Sequence, residues 1–345
     1  MYLTDTIYTR NPEEHLNIVF NTKPTSSIET LNYPLVSIII VNYNYGHFLI
    51  EAIDSALNQT YSNIEVIVVD DGSTDNSHEI IKSYGDKIIP ILKPNGGQPS
   101  AFNASFAVSK GEIICFLDAD DIFLPEKVEE ISKIFTQHKE IGWCCHLLKF
   151  FGKAKNAENN ERLLKDQSLW SSGIYDLRMI IKQGKLKGRI PNIRLSLPNI
   201  CFRRSLLQQQ LPMPETAFLK TTDEYLKYTA LGLTPGFLLL EELSMQRIHD
   251  DNAYTDKTDT NKQKLNAKIN VFNAYWMKNK FPLIMSKFAN NLFALGISIY
   301  WLHGGIEEES RYIADTYFSS LSLIERLNVY TRVYFNYFKY LKYYK

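Results

Sequence analysis

The fold is decided by the segment VSIIIV at residues 36–41, a nearly continuous β-branched run. A run of this kind predicts a strand that is covered on both faces, as in a parallel sheet. Apolar residues recur at helical spacing between His47 and Leu57, and a second strand-like run, IEVIVV, follows at residues 64–69. A strand, a helix and another strand in this order predict the start of a parallel α/β unit.

The alternation of strands and helices continues over the next seventy or so residues. The later segments are a helix at 75–84 that Gly85 ends, a strand at 87–92, a helix at 99–108, a strand at 113–117 and a helix from after Pro125 to about His138. Candidate caps for the first of these helices are Ser73, Thr74 and Asp75. The pattern predicts a doubly wound, mostly parallel α/β sheet flanked by helices, with right-handed crossovers. Ligands of such sheets bind outside the carboxyl ends of the strands, so residues that follow strands are the first candidates for function.

The rest of the chain lacks this regular alternation. Residues 1–33 form an irregular lead-in before the α/β region at 34–140, and residues 151–196 are a polar, weakly periodic excursion. Order returns at 200–206 and 221–231, and the runs at 238–240 and 243–248 predict further strands. From about Lys262 the chain is expected to be helical to its end, which makes 256–345 a C-terminal helical region.

Composition and charge exclude several classes of protein. The 38 basic and 38 acidic side chains cancel, so no overall field favours nucleic acid. The four cysteines are expected to be buried and reduced; they are Cys115, Cys144, Cys145 and Cys201. Residues 1–20 lack the apolar core of a signal peptide, and the longest apolar stretch, Leu292–Leu302, is too short to span a bilayer. A cytoplasmic protein is expected.

Carboxylates follow two of the predicted strands. DDGS at 70–73 ends the second strand, and DADD at 118–121 ends the fourth. A single such carboxylate is commonly a helix cap, and an acidic loop can simply be solvated. Two clusters at one sheet edge repel each other unless a cation lies between them. Mg²⁺ and Mn²⁺ take oxygen ligands and share them with substrate phosphates, so these residues favour a metal site over a surface loop.

Several motifs in the same order resemble family 2 glycosyltransferases of the fold type called GT-A. The motifs are SIIIVNYN at 37–44, the segment from Ala52 to Thr60, VVDDGSTD at 68–75, NGGQ at 95–98, Asn103, KGE at 110–112 and FLDADD at 116–121. The resemblance covers about 85 residues, and it implies a nucleotide-sugar-binding domain at 34–140 and an acceptor-binding part at 141–255.

The resemblance also implies roles for individual residues. Tyr43 would pack on the nucleotide base, and Asp71 would hydrogen-bond a base edge, which suits the imide N–H of uracil or thymine. Asp118 would face the ribose and the metal, Mn²⁺ or Mg²⁺, and Asp120 would be the metal ligand. Asp121 would orient the sugar or cap the next helix.

Two further polar residues are placed at the same edge by the resemblance. Gln98 and Asn103 would contact the donor or position Asp118, or else make only backbone hydrogen bonds. The family's loop usually has a glycine where this chain has Pro99, so the loop conformation is expected to differ.

A candidate base lies in the acceptor half. Transfer with inversion needs the acceptor hydroxyl to lose its proton as it attacks the anomeric carbon. The segment TTDEYL at 221–226 is similar to the family's acidic base motif, with Asp223 as the first choice and Glu224 as the second. The alternative is an N-cap followed by an acid that the helix dipole favours.

The segment QRIHDDN at 246–252 follows a strand-like run and looks like the Arg-x-His-x-x-Asn segment of many non-processive members. Arg247 and His249 alternate with Gln246 and Ile248, so both could face the site. His249 would ligate the metal or contact the diphosphate, and Arg247 would contact the donor; the alternative for His249 is a structural histidine. The Gln-x-x-Arg-Trp motif of processive, membrane-spanning synthases is absent, which favours single-sugar transfer.

The last residues, from Leu321 to Lys345, carry five basic residues, one acid and many aromatics. This mixture suits a membrane interface where a lipid-linked acceptor would be found, with the protein peripheral at the inner face of the membrane. The alternative is a helix packed on the core or on a second subunit.

The sequence therefore predicts an inverting, metal-assisted hexosyltransferase. It would move a sugar from a UDP or dTDP donor to a glycan or lipid-linked acceptor, as in polysaccharide biosynthesis at the cell envelope. The alternative is a catalytically inactive glycosyltransferase-like binding or scaffold subunit. A sugar nucleotidyltransferase would want a basic, glycine-rich loop in place of NYNYG at 42–46, and a dehydrogenase would need G-x-G-x-x-G.

Overall fold

The protein folds around a single mixed sheet. A computed structural model describes residues 33–152, 171–185, 195–219, 223–249 and 260–341. The strands are β1 (Val36–Asn42), β2 (Ile64–Asp70), β3 (Ile89–Leu92), β4 (Ile113–Asp118), β5 (Ile122–Phe123), β6 (Trp143–Gly152), β7 (Gly173–Tyr175), β8 (Ile200–Arg203) and β9 (Gly236–Ile248). The helices are α1 (Gly46–Leu57), α2 (Ser77–Ser83), α3 (Gln98–Val108), α4 (Lys127–Gln137), α5 (Arg178–Lys182), α6 (Arg204–Gln210), α7 (Glu224–Leu233), α8 (Thr260–Lys280), α9 (Pro282–Leu302), α10 (Glu308–Ser319) and α11 (Leu323–Leu341).

The predicted α/β architecture is confirmed. The first four strands are parallel and lie in the order β3-β2-β1-β4. The sheet continues through β8, β6, β9 and β5, and β7 pairs with β9. This second half is mixed, because β8 is antiparallel to both β4 and β6 while β6 and β9 are parallel. The donor and acceptor halves of the predicted site thus belong to one sheet.

Helices cover both faces of the sheet because the strand residues alternate between two cores. Ile38 and Ile40 of β1 pack with α1, α2 and α4, whereas Ile39 packs with α3 and the C-terminal helices. The adjacent cysteines follow the same rule: Cys144 lies in the first core and Cys145 in the second. All four cysteines are buried and free, as predicted.

Three strands are one residue longer than the sequence pattern predicts. Each extends into the polar residue that follows the apolar run, namely Asn42, Asp70 and Asp118. The runs at 238–240 and 243–248 form the single strand β9, and the helix predicted at 75–84 is confined to α2. The excursion at 151–196 contains the end of β6, β7 and α5, and its residues 153–170 and 186–194 lie outside the described residues, as does the lead-in at 1–32.

The C-terminal region is helical through Leu341, as predicted. The expectation that Leu292–Leu302 is too short for a bilayer needs correction, because α9 begins at Pro282 and has 21 residues. Within the described residues it is the one helix with the length and apolar character to cross a membrane, but 67% of its apolar window is buried in the protein. A core helix of a large protein meets the same criteria, so α9 is weak evidence for a membrane span.

Candidate active site

The carboxyl ends of β1, β2 and β4 meet at one edge of the sheet. Asn42 is aligned with Asp70 across the β1–β2 pair, and Val41 is aligned with Asp118 across the β1–β4 pair. The residues that follow these strands, including Tyr43, Asp71 and Asp120, therefore lie along the same edge, as the sequence predicts.

Asp70 shapes the turn at this edge. Its fully buried carboxylate accepts hydrogen bonds from Asn42 Nδ2 (2.7 Å), Ser73 N (2.8 Å) and Gly72 N (3.1 Å), and it lies 2.9 Å from His78 Nε2. These hydrogen bonds lower the pKa of Asp70, although burial alone would raise it. Gly72 is required here, since its φ is +81° and a Cβ would lie 2.6 Å from the next loop. Asp70 is thus a structural residue that fixes the direction of its neighbour, Asp71.

Asp71 is held by the loop between β3 and α3. Its Oδ1 accepts from Lys93 Nζ (2.6 Å) and Gly96 N (3.0 Å), and its Oδ2 accepts from Gly97 N (2.7 Å). The side chain is 4% exposed. A carboxylate accepts about four hydrogen bonds, so these three leave room for one more donor, such as a base N–H.

Tyr43 and Gln98 are two further residues that the sequence predicts to contact the donor. Tyr43 follows β1, and its residue is 48% exposed, which leaves its ring accessible for stacking. Gln98 is the first residue of α3, directly after Gly97. Their roles toward a nucleotide base or sugar stay predictions.

The structure assigns Asn103 a structural contact. Its amide nitrogen donates to Met213 O (2.9 Å) and Glu215 Oε1 (2.7 Å), and its amide oxygen accepts from Met213 N (2.7 Å). Both N–H groups and the oxygen are therefore engaged with the loop after α6. These hydrogen bonds join α3 to the loop after α6, and the expected contact of Asn103 with the donor stays a prediction.

The acidic turn after β4 places its three carboxylates differently. Asp121 is 2% exposed and accepts the backbone N–H of Arg247 (2.8 Å), which ties the turn to β9. It does not cap α4, which begins at Lys127. Asp120 Oδ2 lies 3.0 Å from His249 Nε2, with both side chains 13–14% exposed.

Asp118 is surrounded by other negative charges. Burial, followed by the charges of Asp120 and Asp223, raises the pKa of Asp118 well above its usual value, while Lys227 acts in the opposite direction. Asp223, from the second predicted acidic motif, is thus among the charges that act on Asp118, although the two motifs are far apart in sequence.

Asp223 and Glu224 differ in their surroundings. Asp223 directly precedes α7, and its Oδ2 lies 2.9 Å from Lys227 Nζ, one turn further along the helix. Lys227 also donates to Leu195 O (3.1 Å). Burial raises the pKa of Glu224. Asp223 is among the charges that act on Asp118, and the choice between these two acids as the base stays a prediction; Thr221 and Thr222 lie outside the described residues.

Arg247 is packed into the wall of the site. Its guanidinium lies between the rings of Phe48 (4.5 Å) and Phe151 (4.4 Å) and donates to Glu51 Oε2 (2.9 Å) and Asp120 O (3.0 Å). Such stacking and hydrogen bonding fix the plane of the guanidinium. Arg247 is therefore a support for the acidic turn here, and direct contact with a donor stays a prediction.

His249 lies beside aromatic rings as well as Asp120. Its ring centre is 5.6 Å from that of Tyr45 and 5.0 Å from that of Phe48. Arg247 and His249 both contact the acidic turn, which is the shared orientation that their spacing predicts. Asn252, the last residue of that motif, lies outside the described residues.

A divalent metal fits this site in part. Asp118 and Asp120 supply hard oxygen ligands, and a cation between them would relieve the repulsion that raises the pKa of Asp118. However, within the residues that the structure describes, no group of three or more His, Cys, Asp or Glu side chains is arranged to hold a metal. The predicted set of Asp118, Asp120 and His249 is therefore not assembled, and a metal would depend on the two carboxylates and on donor phosphates.

A cavity of about 610 Å³ borders the loop after α6 rather than the acidic turn. It lies between the loop after α6, which contributes Glu215 and Phe218, and helices α8 and α10, which contribute Trp276, Glu308 and Tyr312. Its lining combines aromatic rings and carboxylates. The same loop precedes the predicted base, Asp223, in the sequence.

Several contacts in this site were not foreseen from the sequence. Lys93 beside Asp71 and Glu51 beside Arg247 come from distant segments and leave no local pattern. Lys227 could have been found, since a basic residue four positions after Asp223 lies on the same side of a helix.

Comparison with known proteins gives consistent results. A family model described as Glycosyl transferase family 2 matches residues 37–206. An uncharacterized glycosyltransferase of Nostoc sp. (strain PCC 7120) is 34% identical over 248 residues, which cover 70% of this chain and 74% of that protein. An uncharacterized glycosyltransferase of Rickettsia typhi is 32% identical over 280 residues, covering 79% of this chain and 81% of its own length.

A solved structure has a similar fold. The crystal structure of S. aureus TarS 1–349 in complex with UDP-GlcNAc has a TM-score of 0.58 and 16% identity, and it covers 88% of this chain and 89% of that chain. At this identity the likeness concerns the fold alone. Asp71, Asp118 and Asp120 fall within the family match, whereas Asp223, Arg247 and His249 lie beyond it.

Proposed function

The chain belongs to glycosyl transferase family 2 and is a glycosyltransferase with the GT-A fold, and we propose that it inverts the anomeric carbon as it transfers one sugar. The donor is a nucleoside-diphosphate sugar, and the acceptor is a glycan or a lipid-linked glycan. The observation that carries this proposal is the alignment of the carboxyl ends of β1, β2 and β4, which places Asp71, Asp118 and Asp120 along one sheet edge, with Asp223 among the charges that act on Asp118. A metal-binding pair of carboxylates beside a candidate base is what such a transfer needs, and no observation favours the inactive scaffold.

The nucleotide base would lie between Tyr43 and Asp71. An imide such as uracil or thymine presents an N–H between two carbonyls, and Asp71 has room for one more donor. The ammonium of Lys93, 2.6 Å from Asp71, could donate to a neighbouring carbonyl. These contacts favour a UDP or dTDP sugar, and TarS, which shares the fold, has been solved with UDP-GlcNAc.

Mn²⁺ or Mg²⁺ would be held by Asp118 and Asp120 together with the donor phosphates. The ion supplies neutralising charge for the departing diphosphate without any proton transfer. Arg247, held between two aromatic rings, keeps the backbone of Asp120 in place. His249 orients the Asp120 carboxylate.

Asp223 would act as the base. The acceptor hydroxyl oxygen forms a bond to the anomeric carbon as the bond from that carbon to the phosphate oxygen breaks, and the hydroxyl proton passes to the Asp223 carboxylate. The nucleoside diphosphate leaves with the electron pair. Lys227, 2.9 Å from Asp223, holds this carboxylate on the side that faces Asp118.

The acceptor would extend into the cavity beside Phe218 and Tyr312. Aromatic faces pack against the C–H bonds of sugar rings, and Glu215 and Glu308 can accept hydroxyl hydrogen bonds. A role in cell-envelope polysaccharide biosynthesis, at the cytoplasmic side of a membrane, would supply such an acceptor. The C-terminal helix would provide the peripheral contact with that membrane.

The proposal is tested by thermal shift with UDP, dTDP, GDP and CDP, each with and without Mn²⁺. We expect UDP or dTDP to raise the melting temperature most, and only when Mn²⁺ is present, because stabilisation grows with occupancy of the folded state. Asp71→Ala should remove the preference among bases. Equal or absent responses to all four nucleotides would overturn the donor assignment.

A further inference from the structure

Helix α11 carries a large apolar face that is mostly exposed in the described part of the chain, although Tyr330 also contacts Phe318 and Tyr334 contacts Trp301. Seven large side chains on it are between 46% and 83% exposed; they are Leu323, Ile324, Leu327, Tyr330, Tyr334, Phe335 and Phe338. Val329 and Val333 lie on the opposite side of the helix and are 1–2% exposed, so they attach α11 to the core. We name the seven exposed residues the α11 apolar face.

These seven residues form one continuous surface. At 100° per residue they fall within an arc of about 140°, and they extend along about four turns of the helix. Taking roughly 200 Å² for each large side chain, the exposed fractions amount to roughly 900 Å². The largest apolar patch of a typical soluble monomer is about 300–600 Å². A surface of this size is expected to be covered by a partner or a membrane.

The charges around the face indicate which partner. Arg332, which is exposed, and the partly exposed Lys339 border one edge of the arc. The acid of this helix, Glu325, is turned toward the core, where it lies 2.9 Å from Lys278 Nζ and accepts from Asn290. The face therefore presents apolar and aromatic groups with positive charge beside them. Anionic lipid headgroups complement that charge, whereas a second copy of the same face would bring like charges together.

The composition also suits the depth of a bilayer interface. Tyr330 and Tyr334 combine an apolar ring with a hydroxyl group, which is the character that places tyrosine between acyl chains and headgroups. Leu327 and Phe338, which are nearest the middle of the arc, would lie deepest, in the acyl region. The neighbouring helix α9 is mostly buried in the protein, so the geometry favours a helix that lies on the membrane over one that spans it.

We propose that the α11 apolar face inserts into the interface of an anionic lipid bilayer and holds the enzyme at the membrane surface. This inference deepens the proposed function, since it rests on an acceptor that is presented at a membrane. It names the partner as a bilayer with acidic headgroups and assigns the contact to particular residues.

Flotation of the full chain with vesicles tests the proposal. One set of vesicles contains phosphatidylcholine alone, and the other also contains phosphatidylglycerol. The wild-type protein should float with the anionic vesicles, and binding should weaken as salt is added. The double variant Leu327→Asp/Phe335→Asp should bind at least about tenfold more weakly, since both side chains are exposed and their replacement leaves the core intact.

Two further variants separate the contributions. Arg332→Glu/Lys339→Glu should lose roughly tenfold in binding to anionic vesicles and little in binding to neutral ones. Met179→Asp on α5, also an exposed apolar position, should bind like the wild type. Stabilisation by UDP with Mn²⁺ should be the same in all of these proteins, so failure of the donor site is distinguished from failure of the membrane contact.

Three results would overturn the proposal. They are absence of wild-type flotation with anionic vesicles, equal flotation of Leu327→Asp/Phe335→Asp, and a wild-type oligomer in light scattering that this double variant converts to a monomer. The last would assign the face to contacts between copies of the chain.

Discussion

The imidazole Nε2 of His249 lies 3.0 Å from Oδ2 of Asp120, and this contact joins the end of β9 to the acidic turn after β4. The backbone N–H of Arg247 reinforces the same junction by donating to Oδ1 of Asp121 over 2.8 Å. The turn that would hold a metal is therefore positioned by a strand from the acceptor half. Changes in β9 should alter metal and donor binding even where they leave the carboxylates intact.

The metal assignment is tested at Asp120. Asp120→Ala should lower metal-dependent transfer by at least about 100-fold, because it removes a charged ligand next to the leaving diphosphate. The measurement is transfer rate against Mn²⁺ concentration, with melting temperature as the check on folding. The exposed Glu241→Ala on β9 is the matched control and should behave like the wild type. Full activity of Asp120→Ala would refute the assignment.

His249 could either orient Asp120 or ligate the metal, and a substitution at His249 distinguishes these two roles. If it only orients Asp120, His249→Ala should reduce the transfer rate several-fold while tight Mn²⁺ binding is kept in the presence of UDP. If His249 ligates the metal, the same variant should instead lose tight Mn²⁺ binding together with the transfer rate. Titration of Mn²⁺ into the protein with UDP gives the answer, and we expect the first result because the three-ligand set is not assembled among the described residues.

Asp118 should make stability depend on pH. Burial and the charges of Asp120 and Asp223 raise its pKa well above the usual value, so the folded protein binds this proton more tightly than the unfolded chain. A raised carboxyl pKa lowers stability as the pH rises above the unfolded value of about 4. Asp118→Asn should therefore melt about 2–4 °C higher at pH 7 without metal, and this difference should shrink toward pH 4. A melting temperature of Asp118→Asn below that of the wild type at pH 7 would contradict the inference that negative charges crowd Asp118.

The base is tested by a pair of isosteric variants. Asp223→Asn should lower the transfer rate by about 100-fold to 10,000-fold with little change in UDP binding, because the acceptor hydroxyl loses its proton acceptor. Glu224→Gln should keep most of the activity. Since Asp223→Asn also leaves Lys227 without its ion pair, melting curves must accompany the rates. If Glu224→Gln is the inactive variant, the base lies one residue further along.

Asn103 should matter for stability rather than for the donor. Asn103→Ala removes three hydrogen bonds to the loop after α6 and should cost about 1–3 kcal/mol of unfolding free energy. Urea denaturation measures this loss, and a UDP titration of the folded variant should give the wild-type affinity. A weaker UDP affinity with unchanged stability would restore the donor role.

The sheet and the acidic residues at its edge could be predicted from the sequence. The β-branched runs at 36–41 and 64–69 and the acidic residues that follow strands are local patterns, and a parallel sheet aligns the ends of its strands. The continuity of β9 was missed because Glu241 and Glu242 interrupt its apolar pattern. Both residues are exposed in the structure, so they sit outside the core without breaking the strand.

Contacts between segments that are far apart in sequence could not be predicted from local patterns. Arg247 contacts Glu51, Phe48 and Phe151. No local sequence pattern around any of these residues predicts its contact with the others. The engagement of Asn103 by Met213 and Glu215 likewise depends on how the loop after α6 passes over α3. The family resemblance located Asn103 at the right edge but could not distinguish a donor contact from a structural one.

The unbroken sheet limits how this enzyme can be recombined with its relatives. β4 pairs with β8, and β8 pairs with β6, so the regions before and after residue 140 share strand edges and both cores. A chimera joined near residue 140 would have to match a foreign edge strand to β4 and foreign side chains to Cys115 and Phe116. Exchange of acceptor preference should therefore succeed through grafted loops, such as that from Met213 to Leu219, and fail through swapped halves.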